Sequence, residues 1–203
     1  MEIYLLRHGE SYNSSIEYYC ADKRIMNPPL TAKGINQAHM LANKLKTVKF
    51  DTIYASDLDR AIQTAEIFRA ATNQEIIVTE QFREIDMGEI NLRPWNEFPD
   101  IYEKWILHDT DLPYPNGECG DDVWNRCKRK INEAYCEGYG RIAIFCHGGT
   151  IRSIICGILG IPQYKRFLFG APPHNCSISI VWYVKVNSAL LVFNEYSHLE
   201  DEL

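Results

Sequence analysis

The run Ile142-Ala143-Ile144-Phe145-Cys146 is apolar at every position and passes directly into His147-Gly148-Gly149-Thr150. A short run with no polar alternation reads as a strand buried on both faces, the kind found at the centre of a parallel sheet. Ile151, Ile154, Ile155 and Leu159 then follow at helical spacing. A buried strand feeding directly into an apolar helix excludes an all-β sandwich and a helix bundle, and predicts βα units with right-handed crossovers.

The rest of the chain repeats the theme. Residues 2–7, with the apolar run Ile3-Tyr4-Leu5-Leu6, predict a first strand that ends at Arg7-His8-Gly9-Glu10. Residues 11–29 lack periodicity, contain Pro28-Pro29, and read as a loop able to cover a site. Thr31 is placed to cap a helix whose inward stripe is Ile35, Ala38, Ala42 and Leu45. Residues 51–55 predict a second strand, and Ser56 or Asp57 can cap the following helix, with the stripe Ala61, Ala65 and Phe68. Residues 75–79 predict a third strand. Residues 82–120 are irregular, rich in proline and aromatics, with a short helix near 101–105. They could shape a substrate pocket or form a surface excursion packed on its own aromatics. Asp121 or Asp122 is placed to cap a helix facing inward through Val123, Cys127, Ile131 and Ala134, ended by Gly138 and Gly140. Residues 177–186 and 190–196 predict a hairpin on a sheet edge, and the acidic tail from His198 is expected to fray. The expected architecture is a three-layer α/β/α sandwich on a mostly parallel mixed sheet. It forms one domain over residues 1–203, with a substrate-pocket excursion at about 82–120.

With 203 residues, 46% of them hydrophobic, the chain can bury a real core. A net charge of −6 argues against nucleic acid as a partner, because a phosphate backbone needs a basic face. A small anion remains compatible, since a few arginines can dominate one pocket. No apolar run is long enough to span a membrane. The cysteine count is odd, at seven, with no CxxC pair, and the N-terminus carries no signal-peptide pattern. Free thiols in a cytoplasmic protein are therefore expected, with no metal and no cofactor. The hairpin edge leaves the oligomeric state open, a homodimer being one option.

Three strand-to-helix junctions carry polar residues unsuited to a core: Arg7 and His8, Ser56 through Arg60, and His147-Gly148-Gly149. In a parallel sheet these junctions share one edge, the edge at which open α/β sheets bind ligands. Arg60 alone reads as a surface residue, and His147 alone as a core histidine. Placed together, two His and two Arg would converge on one crevice with helix N-termini beside them. That set suits a phosphate monoester. Arg forks bind its oxygens, and an unprotonated imidazole can attack phosphorus to form a phosphohistidine. The cations then offset the transition-state charge without demanding a metal. The leaving oxygen needs a proton, for which Glu84, Asp86 and Glu89 are candidates. Spacing does not choose among them.

Four segments in order resemble the histidine phosphatase superfamily, in its phosphoglycerate mutase-like branch. They are Leu6–Glu10, Pro29–Ala38, Ser56–Ala65 and Cys146–Arg152. The resemblance implies that His8 is the phosphorylated nucleophile and that Arg7, Arg60, His147 and Gly148 hold the phosphoryl group. The segment Phe82–Gly88 is similar to the one that carries the proton donor, and the match falls on Glu84. The family's phosphate-holding Asn falls at Ser14 here, with Asn13 one position earlier, so Asn13 is the expected contact. Ile90-Asn91-Leu92 replaces a Trp-Glu-Gly pattern, and Cys146 replaces a Ser. Chain length and Asn116-Gly117-Glu118-Cys119 resemble the α-ribazole phosphatase and broad-specificity phosphatase group. The implied activity is a metal-independent phosphoric monoester hydrolase of the histidine acid phosphatase type. Its substrate would be a small metabolite such as α-ribazole 5′-phosphate, or a range of phosphate esters. A phosphoglycerate mutase and a non-catalytic phospho-ligand binding module are the alternatives. Arg24, Arg93, Trp95 and Tyr114 are candidate substrate contacts.

Overall fold

The apolar runs do pair as neighbours. In the computed structural model, which describes residues 1–12, 27–91, 97, 99–107 and 109–202, four strands run parallel. They are β1 (Glu2–Arg7), β2 (Thr52–Ser56), β3 (Ile77–Thr79) and β4 (Arg141–Cys146). The hairpin β5 (Ile178–Trp182) and β6 (Ala189–Glu195) joins the edge beside β1 antiparallel, giving the order β3-β2-β4-β1-β5-β6. The all-apolar strand β4 lies between β1 and β2, as its lack of alternation predicts.

Helices cover both faces: α1 (Ala32–Leu45), α2 (Asp59–Thr72), α4 (Gly120–Cys136) and α5 (Gly148–Leu159), with α3 (Pro99–Leu107) in the excursion. The two-residue period of the strands decides which core each side chain enters. Ile3, Leu5, Tyr54, Ile142, Ile144 and Cys146 pack with Val123, Cys127 and Ile131 of α4 and Ile151, Ile154 and Ile155 of α5. Leu6, Ile53, Ala55, Ala143 and Phe145 point the other way, onto Ala38, Leu41 and Ala42 of α1 and Ala65 and Phe68 of α2. The mixed sheet between two helix layers is the expected architecture. Among the described residues no helix is long and apolar enough to cross a membrane.

Several local expectations are corrected. Ile35 is 42% exposed; α1 turns Gly34, Gln37, Ala38 and Leu41 inward instead. The cap of α2 is Leu58 rather than Ser56 or Asp57. Asp57 is drawn off to Arg83, at 2.7 Å, while the Asp59 amide is met by Asn27 Oδ1 at 3.0 Å, from far along the chain. Cys119 caps α4, with Asp122 at the third helical position accepting from the Cys119 amide at 3.0 Å. The third strand shortens to Ile77–Thr79, an edge strand with Ile77 and Val78 exposed. The C-terminal segment does not fray at once. Ser197–Glu202 forms 3₁₀ turns, and Leu199 is fully buried against α1 because an apolar side chain there fills the lower core.

The described part of the excursion has a small core of its own, Ile90 and Tyr114 with Ile85 and Met87.

Candidate active site

The register of the sheet brings the polar junctions into one row. Arg7 lies opposite Cys146, and Ser56 follows Ala55, which lies opposite Phe145. His8 and His147, each one residue past its strand, therefore meet: their ring centroids are 5.0 Å apart, at 58°.

His8 is buried and fixed on every side. Its amide donates to Cys146 O at 3.0 Å, and its carbonyl accepts from Asn175 Nδ2 at 3.0 Å. Its Nδ1 lies 2.7 Å from Gly9 O, and Arg60 Nε–H points at its Nε2 from 3.2 Å. A carbonyl only accepts and a guanidinium only donates, so Nδ1 carries the ring proton and Nε2 keeps its lone pair. Burial, then the charges of Arg60 and Arg7, hold the imidazole well below its ordinary pKa of 6.5. Gly9 is required by space, because a Cβ there would come within 2.4 Å of Gly34 O. Thr64 Oγ1 accepts the Gly9 amide at 3.1 Å and donates to Arg60 O at 2.7 Å. It thereby couples the His8 loop to the helix turn that carries Arg60.

Arg7 donates through Nη1 to Pro173 O, while its buried Nε has no partner. That Nε lies 3.6 Å from where a Cβ of Gly148 would stand, so the bare Gly148 leaves room beside it. His147 bonds Ser56 Oγ through Nε2 at 2.9 Å, and its buried Nδ1 has no partner. Burial, Arg60 and His8 push the His147 pKa well down as well. Among the described residues no carboxylate pairs with Arg7 or Arg60, although Glu84 acts on both across the site.

The three candidate carboxylates separate cleanly. Asp86 accepts from the Gly88 amide at 2.8 Å, within its own turn, and Glu89 accepts from Asn116 Nδ2 at 2.5 Å, 27 residues along the chain. Glu84 alone reaches the N-terminus of α5. Its Oε2 accepts the Gly149 amide at 3.1 Å, and its Oε1 accepts the Thr150 amide at 3.0 Å. A Cβ at Gly149 would lie 2.6 Å from Glu84 Oε1, so this glycine keeps the approach open.

Asn13, Ser14, Arg24, Arg93 and Trp95 lie outside the described residues. Tyr114 is buried near Glu84, Arg166 and Asp111, and burial raises its phenol pKa well above the ordinary value. His174 stacks on Tyr196, with ring centroids 3.9 Å apart, so its turn meets the site through the Pro173 carbonyl and not through the imidazole. Sequence reasoning also missed Arg126. From α4 it donates to Gln81 O at 2.7 Å, Arg83 O at 2.8 Å and Glu84 O at 3.2 Å, and it pairs with Glu118 at 2.8 Å. It therefore clamps the backbone that presents Glu84. The only local signal was Glu118, in the segment already singled out.

Two histidines, two arginines that pair with no carboxylate among the described residues, and one carboxylate at a helix N-terminus are thus gathered at one end of the sheet. The sequence model of the histidine phosphatase superfamily (branch 1) matches residues 3–195. The chain belongs to that superfamily. Among curated relatives, a probable phosphoglycerate mutase GpmB of Proteus mirabilis is 32% identical over 191 residues, covering 90% of this chain and 85% of that protein. Phosphoserine phosphatase 1 of Hydrogenobacter thermophilus is 26% identical over 204 residues, covering 98% and 94%. Among solved structures, a mycobacterial glucosyl-3-phosphoglycerate phosphatase superposes with a TM-score of 0.82 at 22% identity, covering 96% of this chain and 99% of that one. At that identity the superposition speaks to the fold. As a histidine phosphatase superfamily member with phosphatases and mutase-like proteins as neighbours, the chain is assigned a phosphatase or mutase activity.

Proposed function

We propose that this protein is a metal-independent phosphomonoesterase that works through a covalent phosphohistidine on His8. The observation that carries this reading is the fixed tautomer of His8: Nδ1–H held by Gly9 O, and Nε2 unprotonated and facing Arg60. The Nε2 lone pair attacks phosphorus and the bond to the ester oxygen breaks. Glu84 delivers its proton to the leaving alkoxide. Water then attacks the phosphohistidine, Glu84 takes a proton from that water, the P–N bond breaks, and the pair returns to Nε2. Arg7, Arg60 and His147 Nδ1, with the amides around Gly148, hold the phosphoryl oxygens and offset their charge. Asn13 is the proposed further contact. Substrates are small phosphate esters such as α-ribazole 5′-phosphate, or a range of such metabolites.

A phosphoglycerate mutase is the second reading, favoured by the name of the relatives near 32% identity. Incubation with 3-phosphoglycerate separates the two: a phosphatase releases inorganic phosphate, while a mutase mainly isomerises. The main test is hydrolysis of a chromogenic aryl phosphate in EDTA, with rapid-quench trapping of acid-labile phosphoprotein. Phosphoprotein should form on the native chain and not on His8→Ala. Full turnover by His8→Ala, or complete loss of activity in EDTA, overturns the proposal.

A further inference from the structure

Ser56 ends β2, and the helix cap its position suggests is made by Leu58 instead. The side chain is fully buried, so no solvent reaches its hydroxyl. Among the described residues Oγ has two partners: the Leu58 amide at 3.3 Å and His147 Nε2 at 2.9 Å. An amide N–H only donates, so Oγ accepts from Leu58 and the hydroxyl proton has no place there. The acceptor that remains for that proton is the Nε2 lone pair of His147.

This proton count decides the state of the second imidazole. A neutral ring that accepts at Nε2 carries its own proton at Nδ1. The reverse bond, with Nε2–H donating to Oγ, would bring two donors onto Oγ and leave the hydroxyl proton buried without an acceptor, which folded proteins avoid. An imidazolium would strand the same proton, and burial with the charges of Arg60, His8 and Arg7 keeps His147 neutral. His147 Nδ1 is itself buried with no partner, directly before the Gly148 and Gly149 amides that open α5.

We propose that Ser56 is a positioning residue: its hydroxyl donates to His147 Nε2 and locks the ring as the Nδ1–H tautomer, so that the second histidine offers a phosphoryl oxygen an N–H and not a lone pair. His8 and His147 then share one tautomer but use opposite ends of it. His8 attacks with its Nε2 lone pair, and His147 donates through Nδ1–H. The other tautomer of His147 would turn a lone pair toward anionic oxygens and repel them. The inference deepens, and rests on, the phosphomonoesterase reading of the site around His8.

The tautomer is read on the ligand-free native protein, so that the test does not depend on turnover. Long-range proton–nitrogen correlation spectra of nitrogen-15 histidine-labelled protein, at neutral pH, distinguish a protonated ring nitrogen from one with a free lone pair. The His147 signals are those missing from His147→Asn. They should show a protonated Nδ1 and an unprotonated Nε2. Ser56→Ala should let an Nε2–H population appear and lower kcat/KM for an aryl phosphate by about 10- to 100-fold, the scale of one hydrogen bond to a charged group. Ser56→Thr keeps the hydroxyl and should keep both the tautomer and the activity near native. Thermal melting checks the fold of each variant; if Ser56→Ala does not fold, Ser56→Cys, whose thiol donates only weakly, takes its place. An Nε2–H on His147 in the native protein overturns the inference. So does an Nδ1–H tautomer that survives loss of the hydroxyl unchanged, or full activity in a variant whose tautomer has shifted. Failure of aryl phosphate hydrolysis by the native chain would leave the spectra intact and instead overturn the phosphatase reading.

Discussion

Arg60 donates its Nε–H to the very lone pair of His8 that faces the site, across 3.2 Å. In the proposed mechanism the contact that fixes the imidazole opens when phosphorus arrives, which frees the guanidinium for the phosphoryl oxygens. On that reading Arg60 orients the nucleophile before attack and offsets charge during it. A lysine supplies the charge but not the fork. Arg60→Lys is expected to lower kcat/KM for an aryl phosphate by about 10²- to 10³-fold, on the scale of losing one transition-state donor. Steady-state kinetics check this; a loss under tenfold would remove Arg60 from the chemistry.

The pH profile should carry the imprint of burial. His8 is held well below 6.5 by desolvation and by the charges of Arg60 and Arg7. It therefore stays neutral, and able to attack, as pH falls through 6.5. The acid limb of kcat/KM, once corrected for ionisation of the substrate near pH 6, should lie below that value. In Arg60→Met one of the depressing charges is gone, so whatever acid limb remains should move upward.

In the proposed mechanism Glu84 protonates the leaving oxygen, so its importance should scale with how badly that oxygen needs a proton. Glu84→Gln is expected to slow an alkyl phosphate by about 10²- to 10⁴-fold and a nitrophenyl phosphate much less. Comparing kcat across a series of leaving groups is the measurement. A uniform loss would assign Glu84 to the framework of α5, whose Gly149 and Thr150 amides it accepts.

Acid should also loosen the fold through the same imidazoles. His8, His147 and His198 all have folded pKa values lowered by burial. Above pH 6.5 they are neutral in both states and contribute nothing. Below it the unfolded chain binds protons that the native state refuses, so stability falls as pH falls. The slope is up to about 1.4 kcal/mol per pH unit for each group. Urea unfolding at pH 7, 6 and 5 measures it, and His8→Asn should flatten the slope.

Much of this site could be anticipated because its residues follow strands. Arg7, His8 and His147 each stand next to a short apolar run, and a parallel sheet must gather such ends at one edge. The choice among Glu84, Asp86 and Glu89 was closed to spacing because it is made by α5, more than sixty residues further on. Arg126 was hidden for the same reason: its partners are backbone carbonyls at 81, 83 and 84, and carbonyls leave no mark in a sequence. The cap of α2 went to Leu58 because Asp57 had a better partner in Arg83, a competition invisible to a local rule.

The pair Asp111 and Arg166 gives the sharpest test of how the excursion is anchored. The ion pair is 2.5 Å long, with side chains only 10% and 4% exposed. Asp111 also accepts the first amides of α4, from Gly120 at 3.0 Å and Asp121 at 2.8 Å. Removing one partner leaves the other charge buried and unmet, which typically costs about 3–5 kcal/mol. Asp111→Asn keeps one acceptor for the α4 amides but strands the Arg166 charge. Arg166→Met strands the carboxylate, which still has two amides to hold it. Arg166→Met should therefore be the milder change, and the double variant should be less destabilised than the sum of the two. A double-mutant cycle by urea unfolding should return a coupling of at least about 1 kcal/mol. Strict additivity would mean that the two side chains do not stabilise one another, and that Asp111 acts only as an acceptor for the first amides of α4.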